Sequence, residues 1–303
     1  MLISFAAVLA LSGSPVMPVT SVRDSYPAPS PDGAKIAFQS NRSGRIALYL
    51  VDADGSNLRV LLDSGDNPVM PAWSPDGKKI AFAATVDGQS EIFVMDADGG
   101  NKKRLSHDEG FDSHPHWSTD GRIFFNSARA TPDRDADWDD QWHEIFSMRA
   151  DGSDIKQHTN CRAVCTFPSP SPDNKMIAYR KVIDGAGVNW LQAPTETNSE
   201  VFIANREGSG ERNITNDPAF DGWPIWAPDS QSVIFASNRS GRPYVSQAYS
   251  VDISTLNVTT LTDETWANSQ PTPSPDGNTV YTYRFIQGEN GSHGHIAETK
   301  ISD

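Results

Sequence analysis

Short apolar runs, each bracketed by a polar turn, organise this chain. The cleanest stretch begins at Pro71-Ala72-Trp73 and enters the turn Ser74-Pro75-Asp76-Gly77. Lys79-Ile80-Ala81-Phe82-Ala83 follows, with the β-branched and aromatic content of a strand. A loop over residues 86–90 leads to a second run, residues 91–96. Asp98-Gly99-Gly100 turns again, and residues 103–106 read as a fourth, outer strand. Proline presets φ and glycine permits positive φ, which is what tight turns need.

The same unit recurs six times. Its turn is Ser30-Pro31-Asp32-Gly33, then Ser74-Pro75-Asp76-Gly77, Ser118-Thr119-Asp120-Gly121, Ser171-Pro172-Asp173-Asn174, Ala227-Pro228-Asp229-Ser230 and Ser274-Pro275-Asp276-Gly277. The turn aspartates are spaced by 44, 44, 53, 56 and 47 residues, a period that signals a repeat architecture. Four short strands per unit describe the blade of a β-propeller, so the expected fold is all-β, with six four-stranded blades. The units fall near 26–65, 66–110, 111–160, 161–217, 218–265 and 266–303. The last lacks an outer strand, and residues 16–22, just ahead of blade 1, are the candidate to complete it and close the ring. An open solenoid is the alternative, and a split terminal unit favours closure.

Pro-x-Trp-Ser-Pro-Asp-Gly followed by a strand and Met-Asp-Ala-Asp-Gly resembles the repeat of TolB-type propellers, over residues 16–303. The resemblance implies the fold and says less about function, because one fold hosts many activities. TolB carries an α/β domain before its propeller, and only a short segment precedes blade 1 here, so the resemblance concerns the propeller portion. It implies a partner held at the channel mouth, where TolB holds the peptidoglycan-associated lipoprotein Pal. Similar repeats precede the hydrolase domain of prolyl-peptidase-like enzymes. No Gly-x-Ser-x-Gly elbow occurs in this sequence.

Charge narrows the partners. The net charge of −14 opposes nucleic acid and anionic membrane surfaces, although many of the aspartates belong to repeated turns. Residues 1–12 form an apolar run ending in Ala10-Leu11-Ser12, too short to span a bilayer. Residues 1–14 read as a signal peptide, without the usual basic start, and 15–303 as a single propeller, expected as a monomer in the periplasm or outside the cell. A truncated start, or an apolar segment packed on the propeller, is the other reading. Cys161 and Cys165 are the only cysteines; a local disulfide fits an oxidising compartment, and two free thiols are the alternative.

The blade topology puts the repeated turns on one face and the irregular loops on the other. Loops from Ala128 to His143 and from Lys181 to Ser199 are long, as recognition loops are. The residue before each inner-strand proline should ring the channel mouth on that face: Tyr26, Met70, His114, Phe167, Trp223 and Gln270. Such an aromatic funnel can anchor a peptide, a protein loop or a sugar; packing between blades is the plainer use of the same residues. Asp112, His114 and His116 alternate along a strand and so can share one face and hold a transition metal. His293 and His295 form a second pair, placed on a loop of blade 6. Asp133, Asp135 and Asp137 resemble the start of a calcium loop but lack its glycine and distal glutamate. Trp138, Trp142 and Trp190 offer stacking surfaces for carbohydrate. The expected function is a protein- or peptide-binding module acting through the channel mouth. The alternative is a carbohydrate-active enzyme, a polysaccharide lyase or glycoside hydrolase, using the same funnel on an oligosaccharide with a divalent metal or an acid/base pair.

Overall fold

The computed structural model describes residues 22–136, 140–183, 199–241, 245–288 and 291–301. The strands form six antiparallel sheets arranged as a six-bladed propeller; five sheets have four strands and the sixth has three among the described residues. Blade 2 shows the order from the axis outward: Val69–Trp73, Lys79–Val86, Gln89–Asp96 and Lys103–Arg104. Innermost strands touch in sequence around the axis, and Asp24–Pro29 of blade 1 packs on Ala267–Pro273 of blade 6, which closes the ring. Gly294 donates its amide to the Val22 carbonyl at 2.9 Å across the same junction. Residues 16–21, which the sequence offers as the completing outer strand, lie outside the described residues, as do the signal-peptide residues 1–14.

The middle strands explain the unbroken apolar runs. Each blade is packed on both faces, so Ile80, Ala81, Phe82 and Ala83 are all fully buried although neighbours along a strand point in opposite directions. The core is accordingly a set of clusters between blades. Leu48, Leu50 and Leu61 of blade 1 meet Ile80, Phe82 and Met95 of blade 2. Ile92 and Val94 of blade 2 meet Ile123, Phe125 and Phe146 of blade 3. Tyr281 and Ile296 of blade 6 meet Ile36, Phe38 and Tyr49 of blade 1. Burying one such phenylalanine is worth about 1.5–3 kcal/mol.

The repeated turns are held by their own side chains. Ser74 Oγ donates to Asp76 Oδ1 at 2.7 Å and accepts from the Lys79 amide at 2.9 Å. Asp76 Oδ1 also accepts from the Lys78 amide, and the serine hydroxyl, more than the amide, pulls the aspartate below its usual range. Blades 1, 4 and 6 repeat the Ser–Asp bond at 2.6, 2.7 and 2.5 Å. Blade 5 has Ala227 instead of serine, and its turn keeps the Asp229 bonds to the Gln231 and Ser232 amides, at 2.8 and 3.4 Å, without the serine hydroxyl. These carboxylates are therefore structural. The turns are not remote from the channel, however: Pro31, Pro75, Pro172, Pro228 and Pro275 line its far end, with Thr119 in the sixth place.

Candidate functional site

A cavity of about 490 Å³ runs along the propeller axis and is lined by all six innermost strands. Each of these strands contains a bulge. In blade 4, Thr166 pairs with Arg180 and Ser169 with Ala178, so two residues fall between consecutive pairs on one strand and only one on its partner. The bulge residue adopts positive φ in every blade: Tyr26 at 54°, Met70 at 57°, His114 at 52°, Phe167 at 57°, Trp223 at 50° and Gln270 at 51°. A proline follows each, disfavouring the right-handed helical region for the residue ahead of it. None of the six is β-branched, as a left-handed backbone requires. The expected mouth residues thus share one backbone device, and all six line the cavity.

Four of them build an aromatic arc. The His114 and Phe167 rings lie 3.8 Å apart, Phe167 and Trp223 5.8 Å, and Trp223 and Phe220 5.3 Å. Tyr26 packs on the same cluster from blade 1. Behind the arc the buried Arg180 guanidinium stacks 5.0 Å from the Phe167 ring and 5.9 Å from that of Phe220. Gly222 makes room: a Cβ there would lie 2.6 Å from the Phe220 ring and 3.4 Å from Arg180 Cδ. Polar side chains fix the rim. Gln270 Oε1 accepts from the Tyr26 amide at 2.9 Å, and Gln39 Oε1 accepts from the Met70 amide at 3.0 Å. His114 Nδ1 lies 2.7 Å from Asn126 Oδ1. Burial pushes His114 down to about 3 and His116 to about 4, so both imidazoles are neutral at ordinary pH, and it pushes the Tyr26 phenol up.

The metal expectation at Asp112, His114 and His116 does not fit this geometry. The bulge at His114 breaks the two-residue alternation that was to align them. His114 and His116 line the channel, while Asp112 is buried outside it in an ion pair with Arg129 at 2.7 Å. Among the described residues no three His, Cys, Asp or Glu side chains gather as a metal-ligand set. Of the three calcium candidates, Asp133 Oδ1 accepts the Asp135 amide at 3.1 Å, a turn bond, and Asp137 lies outside the described residues. His293 and His295 are not on a loop but in the strand Gly291–Lys300, opposite Ile286 and Arg284.

Sequence reasoning missed a second repeated device. Arg42, Arg129 and Arg239 lie just past the second strands of blades 1, 3 and 5 and return to the first residue of the inner strand, at Asp24, Asp112 and Asp221. Each guanidinium also stacks on two aromatic rings of its blade, about 5 Å from each centroid. The signal was present in part: the Asn-Arg-Ser-Gly copies at 41–44 and 238–241 are indeed equivalent turns, and Ser127-Ala128-Arg129 is their variant in blade 3. Burial pushes Asp112 up to about 6 and Asp221 to about 7, against the pull of their arginines.

The irregular face is only partly described. Trp142 is half-buried beneath the Arg162 guanidinium, 5.8 Å from its ring, which covers one face. Trp138, Trp190 and the interior of the blade 4 loop lie outside the described residues. Cys161 and Cys165 form a disulfide where the chain enters blade 4. The buried Glu144 carboxylate accepts the Cys161 and Arg162 amides of that loop, each at 2.8 Å.

The model of the family described as TolB beta propeller domain matches residues 27–135 and 184–303. The Tol-Pal system protein TolB of Bordetella pertussis is 31% identical over an alignment of 139 residues, with 35% of this chain and 32% of that protein covered. The chain therefore spans about a third of the length of the curated relatives it matches. The crystal structure of TolB from Acinetobacter baumannii superposes with a TM-score of 0.63 at 22% identity, covering 99% of this chain and 68% of that one. An oligogalacturonate lyase in complex with manganese has a TM-score of 0.60 at 14% identity, covering 93% and 91%. At these identities the two structures support the fold alone.

Proposed function

Because the chain belongs to the TolB β-propeller family, we propose that it is a binding module that holds a protein or peptide segment at its channel mouth, in the periplasm or outside the cell. One observation carries this reading. Six unbranched side chains, four of them aromatic rings, are turned to positive φ around one cavity, and no Asp, Glu, Lys or Arg lines it among the described residues. Preformed aromatic surface in a concave site is the usual anchor for a partner's apolar side chain. The disulfide supports an oxidising compartment. No helix among the described residues is long and apolar enough to cross a membrane.

The enzyme reading has less support. Lyases and hydrolases acting on sugars need an acid/base pair or a metal, and the funnel presents two neutral histidines and, among the described residues, no carboxylate. An anionic sugar would also find no cation lining the cavity among the described residues.

The test is capture of an envelope or secreted protein of the host by tagged protein, identified by mass spectrometry. Capture should be lost in Phe167→Ala and Trp223→Ala and kept in Lys78→Ala on the turn face, with all three variants folded by circular dichroism. Equal capture by the funnel variants, or turnover of an oligosaccharide that Phe167→Ala abolishes, would overturn it.

A further inference from the structure

The proposed binding reading says where a partner docks; the atoms at the rim say more about what docks there. Three features bear on it. The first is charge. In a protein of net charge −14, the channel lining carries no formally charged side chain among the described residues, and its two imidazoles are neutral. The Arg180 charge beside the arc is 3% exposed, behind the Phe167 and Phe220 rings. Burying an unpaired charge from a partner in such a lining is costly.

The second feature is the edge of the innermost strands. An edge strand ordinarily offers amide donors and carbonyl acceptors to an added strand. Here Pro27, Pro71, Pro115, Pro168, Pro224 and Pro271 remove a donor from every blade beside the mouth. The edge therefore does not invite β-addition.

The third feature is a pair of unused side-chain atoms. Gln270 spends its oxygen on the Tyr26 amide, which leaves its NH2 group without a partner among the described residues. His114 Nδ1 lies 2.7 Å from Asn126 Oδ1; with that oxygen as the acceptor the ring carries its proton on Nδ1, which leaves Nε2 as an acceptor without a partner among the described residues. Both residues line the cavity, and Gln270 is 8% exposed. They belong to blades 6 and 3, on opposite sides of a six-membered ring. The rim thus offers one donor and one acceptor, from blades 6 and 3, beside the cluster of Tyr26, Phe167 and Trp223.

We propose that the occupant of the mouth is an uncharged peptide segment, whose one inserted amide, from the backbone or an Asn or Gln side chain, accepts from Gln270 Nε2 and donates to His114 Nε2, with aromatic or aliphatic side chains on either side. This rests on the binding reading above. It sets the partner's chemistry apart from what the whole-protein charge suggests, which is a basic ligand steered by electrostatics.

The test uses the full chain and a random dodecapeptide phage library. Clones are sorted by whether Phe167→Ala abolishes their binding, and the winners are made as N-acetylated, C-amidated peptides. The expected funnel-dependent clones share a core free of Asp, Glu, Lys and Arg. Their affinity should change less than about threefold over a tenfold rise in salt, because no charge pair is screened. Gln270→Glu keeps an acceptor for the Tyr26 amide and loses the donor; His114→Phe keeps a ring against Phe167 and loses the acceptor. Each should weaken the synthetic peptide about tenfold, the cost of leaving one buried group unpaired. Funnel-dependent clones with an acidic or basic core, or peptides that ignore both variants, would overturn the proposal and leave the binding reading intact. A library that yields no Phe167-dependent clone would overturn both.

Discussion

Asp112 Oδ2 lies 2.7 Å from Arg129 Nη2, and this contact withdraws from the channel the carboxylate that strand alternation had aligned with His114 and His116. Asp112 is fully buried and the Arg129 side chain 14% exposed, so neither partner can be rehydrated cheaply if the other is removed. Arg129→Ala should therefore cost about 3–5 kcal/mol in urea unfolding, far more than an exposed pair such as Lys35–Asp52. Replacing both partners by Asn and Met should recover part of that loss. A single-variant cost below about 1 kcal/mol would show that the pair does not hold the inner strand in place.

Protonation should act in two opposed directions. His114 and His116 have folded values of about 3 and 4, below the ordinary value of 6.5, so their contribution to stability is complete above 6.5 and is lost as pH falls. Asp112 and Asp221 have folded values of about 6 and 7, above 3.8, so the folded state is favoured at low pH and loses ground as pH rises through that window. Between pH 5 and 7 the two pairs largely offset each other. Substituting both histidines with Asn should make acidification from pH 7 to 5 less destabilising than in the wild type. Substituting both aspartates with Asn should make it more so. Melting temperatures across that range decide the matter, and a shift of both variants in one direction contradicts the assignment.

The blade count, the unit boundaries and the ring of mouth residues were legible because turn chemistry is local: Pro, Asp and Gly announce themselves at fixed offsets. What alternation could not show was the bulge. A period of two puts Asp112, His114 and His116 on one face only while the strand stays regular, and the positive φ of His114 ends that regularity. The x-Pro pairs carried a clue, since the residue before proline is pushed from the helical region, but nothing in one sequence fixes the sign of φ. The arginine–aspartate pairs were hidden for a different reason. Asp24 and Arg42 are 18 residues apart and meet only because two strands pair antiparallel, as Asp24 with Ser40.

The backbone at the mouth makes its own prediction. Phe167 holds φ at 57°, where a second heavy atom on Cβ collides with the carbonyl, while a γ-branched side chain does not. Phe167→Leu and Phe167→Ile remove the same ring and add side chains of equal volume. Ile should nevertheless be less stable than Leu by on the order of 1 kcal/mol, because its second Cβ substituent adds to the left-handed strain that both residues share. Equal melting temperatures for the two variants would mean that the bulge relaxes without cost.

Turns on the two faces contain a matched pair of glycines, Gly44 between the strands Lys35–Ser40 and Ala47–Asp52 and Gly99 between Gln89–Asp96 and Lys103–Arg104. Gly44 and Gly99 have nearly the same backbone angle, φ of 90° and 97°, and differ in surroundings. A Cβ on Gly44 would meet nothing within 4 Å, whereas one on Gly99 would lie 2.4 Å from the carbonyl oxygen of Leu61 in the preceding blade. Gly44→Ala should thus report backbone strain alone, about 1–2 kcal/mol. Gly99→Ala carries the same strain and must also push blade 2 away from the outer strand Arg59–Leu62 of blade 1, where Leu61 belongs to the cluster between the two blades. Its cost should be at least about twice as large, since close-packed interiors give way to an added carbon only by shifting backbone. Chemical denaturation of the two variants side by side measures the difference. Equal costs would show that the second blade is free to move outward, and that the spacing between blades is not set by these turns.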